Sequence, residues 1–211
     1  MIIKYLKNGN NMSNKSADEI KEYILNISSY EAEVEINVIS NKNQNKYKAK
    51  QQFVKEDNLY KQEIIEPENI KGVIFSYDGK NLKLENTKLG LNKIYEDYKY
   101  IGSNDLSLIQ FVNDYNDVEE KSFQEKDGNV ILELKIKNGN KYRTYKKLYV
   151  DKQRGVPTKM EIQDVSQNII IYILYNEIKI NNLQKMVGDC KYEMDKTLNI
   201  SNVGDFFTYF N

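Results

Sequence analysis

Asp78-Gly79 separates two short apolar runs, 72–77 and 81–84, and Asp127-Gly128 and Asn138-Gly139 separate further runs, of which 130–137 alternates apolar and polar side chains. Asp-Gly and Asn-Gly pairs tolerate the positive φ angles of a tight two-residue turn, and alternation is the period of a half-buried strand, so each unit reads as a β-hairpin. A chain punctuated in this way must build an antiparallel sheet.

The rest of the sequence extends that sheet. From Tyr30, the residues Ala32, Val34, Ile36 and Val38 alternate with Glu31, Glu33, Glu35 and Asn37; after a loop at 41–45, Tyr47, Ala49 and Phe53 alternate with Lys46, Lys48 and Lys50. Glutamates on one strand opposite lysines on the next form a solvated, complementary face worth about 0.2–1 kcal/mol per pair, rather than a catalytic carboxylate cluster. Further strands are predicted at 59–65 (closed by Pro67), 72–77, 81–84, 91–98, 118–126, 130–137, 141–151, 158–165 and 169–180, with a turn at Gly155-Val156-Pro157.

Two helices interrupt this series. Ser16-Ala17-Asp18-Glu19 is a capping box, followed to about Ser28 by an apolar stripe of Ile20, Tyr23, Ile24 and Ile27. The second helix is expected from about Leu106 to Tyr115, capped by Asn104 or Asp105, with Leu108, Ile109, Phe111, Val112 and Tyr115 apolar. Ten or eleven strands with two helices predict a mainly β (α+β) fold, a strongly curved antiparallel sheet or unclosed β-barrel. No Pro- or Gly-rich linker divides it. We expect a mobile segment at 1–15, one domain at 16–182, and an extension at 183–211 ending in the aromatic cluster Phe206, Phe207, Tyr209 and Phe210.

Composition narrows the chemistry. The chain has no histidine and a single cysteine, Cys190, which removes the usual residues of Ser-His-Asp and Cys-His hydrolases and of His-ligated metal sites. No cofactor, metal or catalytic residue is expected; a carboxylate-only hydrolase built on Glu63, Glu66 and Glu68 is the enzyme alternative. The 31 basic and 31 acidic side chains cancel, which argues against a nucleic-acid surface. The longest apolar run, 169–174, is too short to cross a bilayer, and the first sixteen residues lack a signal-peptide core, a cleavage site or a lipid-accepting cysteine. The chain as given reads as soluble, with membrane contact only through an anchor that it does not contain.

A protein or apolar partner fits better. The stretch 169–180 is apolar on both sides, with Ile170, Tyr172, Leu174, Ile178 and Ile180 of one parity and Ile169, Ile171 and Ile173 of the other, and such a strand is covered on both faces. Ile169, Ile171, Ile173 and Tyr175, with Phe206, Phe207, Tyr209 and Phe210, are the candidate partner-binding residues. A homodimer formed by exchange of this strand is a second expectation.

The order of elements resembles the LolA/LolB-like superfamily. The resemblance rests on the amphipathic helix leading into Ser29-Tyr30-Glu31-Ala32-Glu33-Val34, on Ser76-Tyr77-Asp78-Gly79-Lys80, on Gly155-Val156-Pro157-Thr158-Lys159-Met160, and on Ile178-Lys179-Ile180-Asn181. Within that superfamily the Lys/Asn/Ile bias and Tyr-rich meander look most like the clostridial spore germination lipoprotein GerS and its relatives. The resemblance implies an open barrel lidded by helices and an exported lipoprotein of the developing spore. It also implies a non-catalytic role, binding and activating the zinc-dependent peptidoglycan amidase CwlD, which is needed to make cortex muramic-δ-lactam. The carrier members of the superfamily imply the alternative, a lipid or acyl chain held in the concave face; their proline-rich C-terminal motif is absent, since Pro67 and Pro157 are the only prolines.

Overall fold

The computed structural model describes residues 12–39, 43–98 and 106–182. Residues 1–11, the caps expected at Asn104 or Asp105, Cys190 and the aromatic cluster at 206–210 lie outside them. The first helix, α1 (Ala17–Leu25), begins as its capping box requires: Ser16 Oγ accepts from Glu19 N–H, and the Glu19 carboxylate accepts from Ser16 N–H. Packing starts before the cap, because Met12 is buried and its N–H donates to Gln153 O.

Six strands follow: β1 (Ser29–Ile39), β2 (Gln44–Val54), β3 (Leu59–Glu66), β4 (Ile74–Tyr77), β5 (Leu82–Asn86) and β6 (Leu91–Tyr95). After α2 (Leu108–Asp117) come β7 (Lys121–Lys126), β8 (Asn129–Asn140), β9 (Arg143–Asp151), β10 (Val156–Gln163) and β11 (Ile169–Ile180). All eleven form one sheet in the order β6-β5-β4-β3-β2-β1-β11-β10-β9-β8-β7. Two meanders therefore meet at a single antiparallel seam between β1 and β11. The sheet is not closed; β6 and β7 are its edges, and the connection that carries α2 leads from one edge to the other.

The inner face is the core. Leu132, Leu148, Met160, Ile173 and Ile36 are successive partners across β8, β9, β10, β11 and β1 and all are buried. Each such side chain contributes about 1.5–3 kcal/mol by leaving water. Ile20 and Ile24 of α1, and Leu108, Phe111 and Val112 of α2, fill the hollow above them. Lys146 of β9 also points inward, fully buried, and pairs with Asp114 of α2, whose other carboxylate oxygen accepts from Gln110 Nε2 at 2.7 Å. Tyr115 O–H donates to Ser122 O and Lys121 Nζ to Tyr115 O, which ties α2 to the edge strand β7.

Three local expectations shift. The second helix starts at Ser107, whose Oγ accepts from Gln110 N–H, and Val118 caps its end instead of beginning a strand. The third hairpin turns at Lys141-Tyr142 and not at Asn138-Gly139, because Asn140 Oδ1 accepts from the N–H groups of Tyr142 and Arg143. Gly139 serves close approach: a Cβ there would lie 2.5 Å from Arg143 O. The third shift concerns β11 and is described below.

The turn forms at Asp78-Gly79 but spans 78–81, since Tyr77 pairs with Leu82. Asp78 Oδ1 accepts from Lys80 and Asn81 N–H, and Gly79 has φ +89°. A Cβ on Gly79 would fall 1.8 Å from Asn58 Nδ2. Gly79→Ala is therefore expected to lower stability by about 1–3 kcal/mol, through strained backbone and the displaced Asn58 together, as read from thermal unfolding.

Candidate partner-binding surface

The strand that is apolar on both sides sits at the seam. β11 pairs with β1 in regular alternation until a bulge: Val34 faces Tyr175 and Glu33 faces Glu177, which leaves Asn176 unpaired. One extra residue reverses the pleat. Ile171, Ile173 and Tyr175 consequently point inward on one side of the bulge and Ile180 on the other, all buried. Ile170, Tyr172 and Leu174 instead stand half-buried on the outer face. The parity read from sequence, which grouped these three with Ile178 and Ile180, does not survive the bulge.

Of the candidate partner-binding residues, Ile171 and Ile173 are core, and so is Tyr175, whose burial pushes its phenol pKa up. Ile169 is 39% exposed at the start of the strand. Phe206, Phe207, Tyr209 and Phe210 lie outside the described residues. Because β11 lies between β1 and β10, exchanging it between protomers would break two ladders; the open edges belong to β6 and β7.

Two rows of cross-strand partners define the outer surface around Tyr172. One runs Glu133, Lys147, Glu161, Tyr172, Asn37 and Lys46; the next runs Ile131, Tyr149, Lys159, Leu174, Glu35 and Lys48. Ile131, Tyr149, Tyr172 and Leu174 are half-buried, as are neighbouring Tyr145 and Ile170. Single exposed apolar residues need no explanation, whereas three tyrosines and three aliphatics on adjacent strands form a continuous surface.

Glu161 holds this surface in place. Only 3% exposed, its carboxylate accepts from Tyr149 O–H at 3.1 Å and Gln163 Nε2 at 3.0 Å, and pairs with Lys159 Nζ at 2.7 Å. The Lys159 ammonium also lies 4.2 Å from the centre of the Tyr149 ring. A buried carboxylate with this many partners fixes the side chains around it. Asn37 Oδ1 and Gln163 Oε1 are buried acceptors on the same face with no hydrogen-bond partner among the described residues.

Burial, and then the Glu161 carboxylate, push the Tyr149 pKa up to about 12. A group whose folded pKa exceeds its unfolded value, near 10, stabilises the fold fully below pH 10 and loses that contribution as pH rises towards 12. Tyr149→Phe is accordingly expected to reduce the loss of stability across that window, as measured by unfolding midpoints at pH 9, 10 and 11.

Several of the acids singled out in the sequence are paired with lysines, and Glu31 and Glu33 line a shallow cleft with Lys50, Glu177 and Lys179. Glu33 pairs with Lys50, Glu66 with Lys48 and Glu68 with Lys71, all on exposed surface. Among the described residues no group of three or more His, Cys, Asp or Glu side chains could hold a metal ion, and no helix is long and apolar enough to cross a membrane.

The GerS lipoprotein of Clostridioides difficile, solved in complex with the CwlD amidase, is 26% identical over 76% of this chain and 91% of its own, with a TM-score of 0.50. An uncharacterised conserved protein of Thermus thermophilus is 15% identical over 80% of this chain and 90% of its own, with a TM-score of 0.49. A LolA superfamily protein of Nitrosomonas europaea is 16% identical over 80% and 94%, with a TM-score of 0.43. No protein with a curated functional description matches. The sporulation protein YdcC-like family matches residues 1–186, which span all the described residues, and the chain belongs to that family.

Proposed function

We propose that this chain is a non-catalytic sporulation protein of the GerS kind, exported and held at the membrane of the developing spore, that binds an amidase of the CwlD type. In this reading it supports the amidase in making cortex muramic-δ-lactam. The observation that carries the proposal is the outer surface around Tyr172: aromatic and aliphatic side chains on a rigid sheet, anchored by Glu161, with two buried acceptors left unpaired. Tyrosines held in fixed positions are the side chains from which interface hot spots are built. The 26% identity to a lipoprotein solved with its amidase supports the choice of partner.

The carrier alternative needs open apolar space on the inner face. There α1 and α2 fill the hollow with their own side chains, and a cleft beside them among the described residues is about 230 Å³, below the usual 300–1,000 Å³ of sites for drug-sized ligands. That favours a partner on the outer face. The test is co-purification with a CwlD-type amidase and amidase assays with and without this chain. A stable complex with raised activity is expected, and no complex at micromolar concentration would overturn the reading. Light scattering over a wide concentration range tests self-association through the open edges.

A further inference from the structure

The inner-face cleft has a chemistry of its own, on the opposite side of the sheet from the partner surface. Its floor follows from register. Tyr30, Phe53, Tyr60 and Tyr77 are consecutive partners across β1, β2, β3 and β4, so four rings stand in line on one face. The last three line the cleft. Tyr60 O–H donates to Gln62 Oε1 at 2.9 Å and Tyr77 O–H to Gly79 O at 2.8 Å, which holds both rings in place.

The walls are mixed, with Leu25, Ile27, Ile109 and Val112 beside polar side chains. Gln110, Asn113 and Asn116 of α2 line one side, and Asn58 and Lys55, from the turn between β2 and β3, line another. Among the described residues the Asn58, Asn113 and Asn116 amides and the Lys55 ammonium have no side-chain hydrogen bond or ion pair. The lining contains no carboxylate.

We propose that this cleft binds a single sugar residue carrying a carboxylate. Flat aromatic faces match the C–H face of a pyranose ring, and amides donate to and accept from its hydroxyl or acetamido groups. Lys55, the one charged side chain of the lining, supplies the charge complement, while its chain neighbours Glu56 and Asp57 are not part of that lining. An acyl chain would find Leu25, Ile27, Ile109 and Val112 but would strip water from these amides and the ammonium without replacing its hydrogen bonds. The volume suits one ring. This inference does not depend on the amidase reading, since the two surfaces lie on opposite faces of the sheet.

The experiment is an amide chemical-shift titration of the full chain with N-acetylmuramic acid, with N-acetylglucosamine, which lacks the carboxylate-bearing ether, and with palmitate. The acidic sugar is expected to shift amides in 53–60 and 109–116 and to bind about tenfold tighter than the neutral one. Lys55→Gln should abolish that preference, and Tyr77→Leu should weaken both sugars about tenfold, with unfolding midpoints measured for each variant. Lys55 is exposed, so its variant decides the matter even if Tyr77→Leu fails to fold. The proposal is overturned if neither sugar shifts the cleft, if palmitate alone does so, or if Lys55→Gln keeps the preference.

Discussion

Asp114→Ala is expected to destabilise the fold by about 3–5 kcal/mol, the largest loss from any single substitution considered, because it leaves the Lys146 ammonium inside the core without its carboxylate. Lys146 is fully buried on the inner face of β9, in the row otherwise occupied by Leu148 and Val150, while Asp114 keeps partial access to water. Desolvating two charges offsets most of their attraction, so the pair adds little net stability over a well-packed apolar pair. Breaking it is another matter. Asp114→Leu combined with Lys146→Met should recover most of what either single change loses, a non-additivity that chemical denaturation of the four proteins would measure. A double variant as unstable as the sum of its parts would mean that the ion pair is not what fixes α2. The effect reaches beyond stability, since the helix fixed by Asp114 also presents Gln110, Asn113 and Asn116 to the inner cleft.

Tyr172→Ala, in contrast, is expected to leave the fold nearly intact and to weaken binding of a CwlD-type amidase by about 2 kcal/mol, roughly thirtyfold. Tyr172 is half-buried on the outer face, between Glu161 of β10 and Asn37 of β1, so truncating it opens no cavity in the core. Titration calorimetry of the variant against the amidase reads the loss. Ile94→Ala provides the comparison, because Ile94 is 38% exposed on the far edge strand β6 and should bind as the parent does. Equal weakening by both substitutions would place the interface elsewhere.

What the residues alone reveal, and what they hide, follows from the range of the interactions involved. The Ser16 capping box, the alternation of β1 and the Asp78-Gly79 turn are each written in a few adjacent residues, and each forms as read. The curved open sheet follows from counting such units. The face proposed to meet a partner was not legible in the same way. Its identification depends on the bulge at Asn176, which no neighbouring Gly or Pro marks and which exists only because β1 and β11 pair out of step there. Assuming an unbroken pleat sends Ile171, Ile173 and Tyr175 to the wrong surface. Lys146 is half-hidden: alternation with Leu148 and Val150 places it inward, but its partner Asp114 lies on a distant helix that no local pattern connects to it. The aromatic floor of the cleft needs the register of four strands before its rings can be seen to line up.

The seam between the two meanders has a kinetic consequence. It places Tyr30 beside Ile180, so the central ladder of the sheet closes across nearly the whole domain. Contacts so distant in sequence form late and slow folding, because the loop must be closed before the ladder can stabilise it. During synthesis β1 emerges early and can pair with β2, but its other side has no partner until 169–180 has been made. For that interval the first meander exposes an unpaired edge along the middle of the future sheet, the kind of edge that templates aggregation. The nascent first half is therefore the form of this protein most in need of a chaperone.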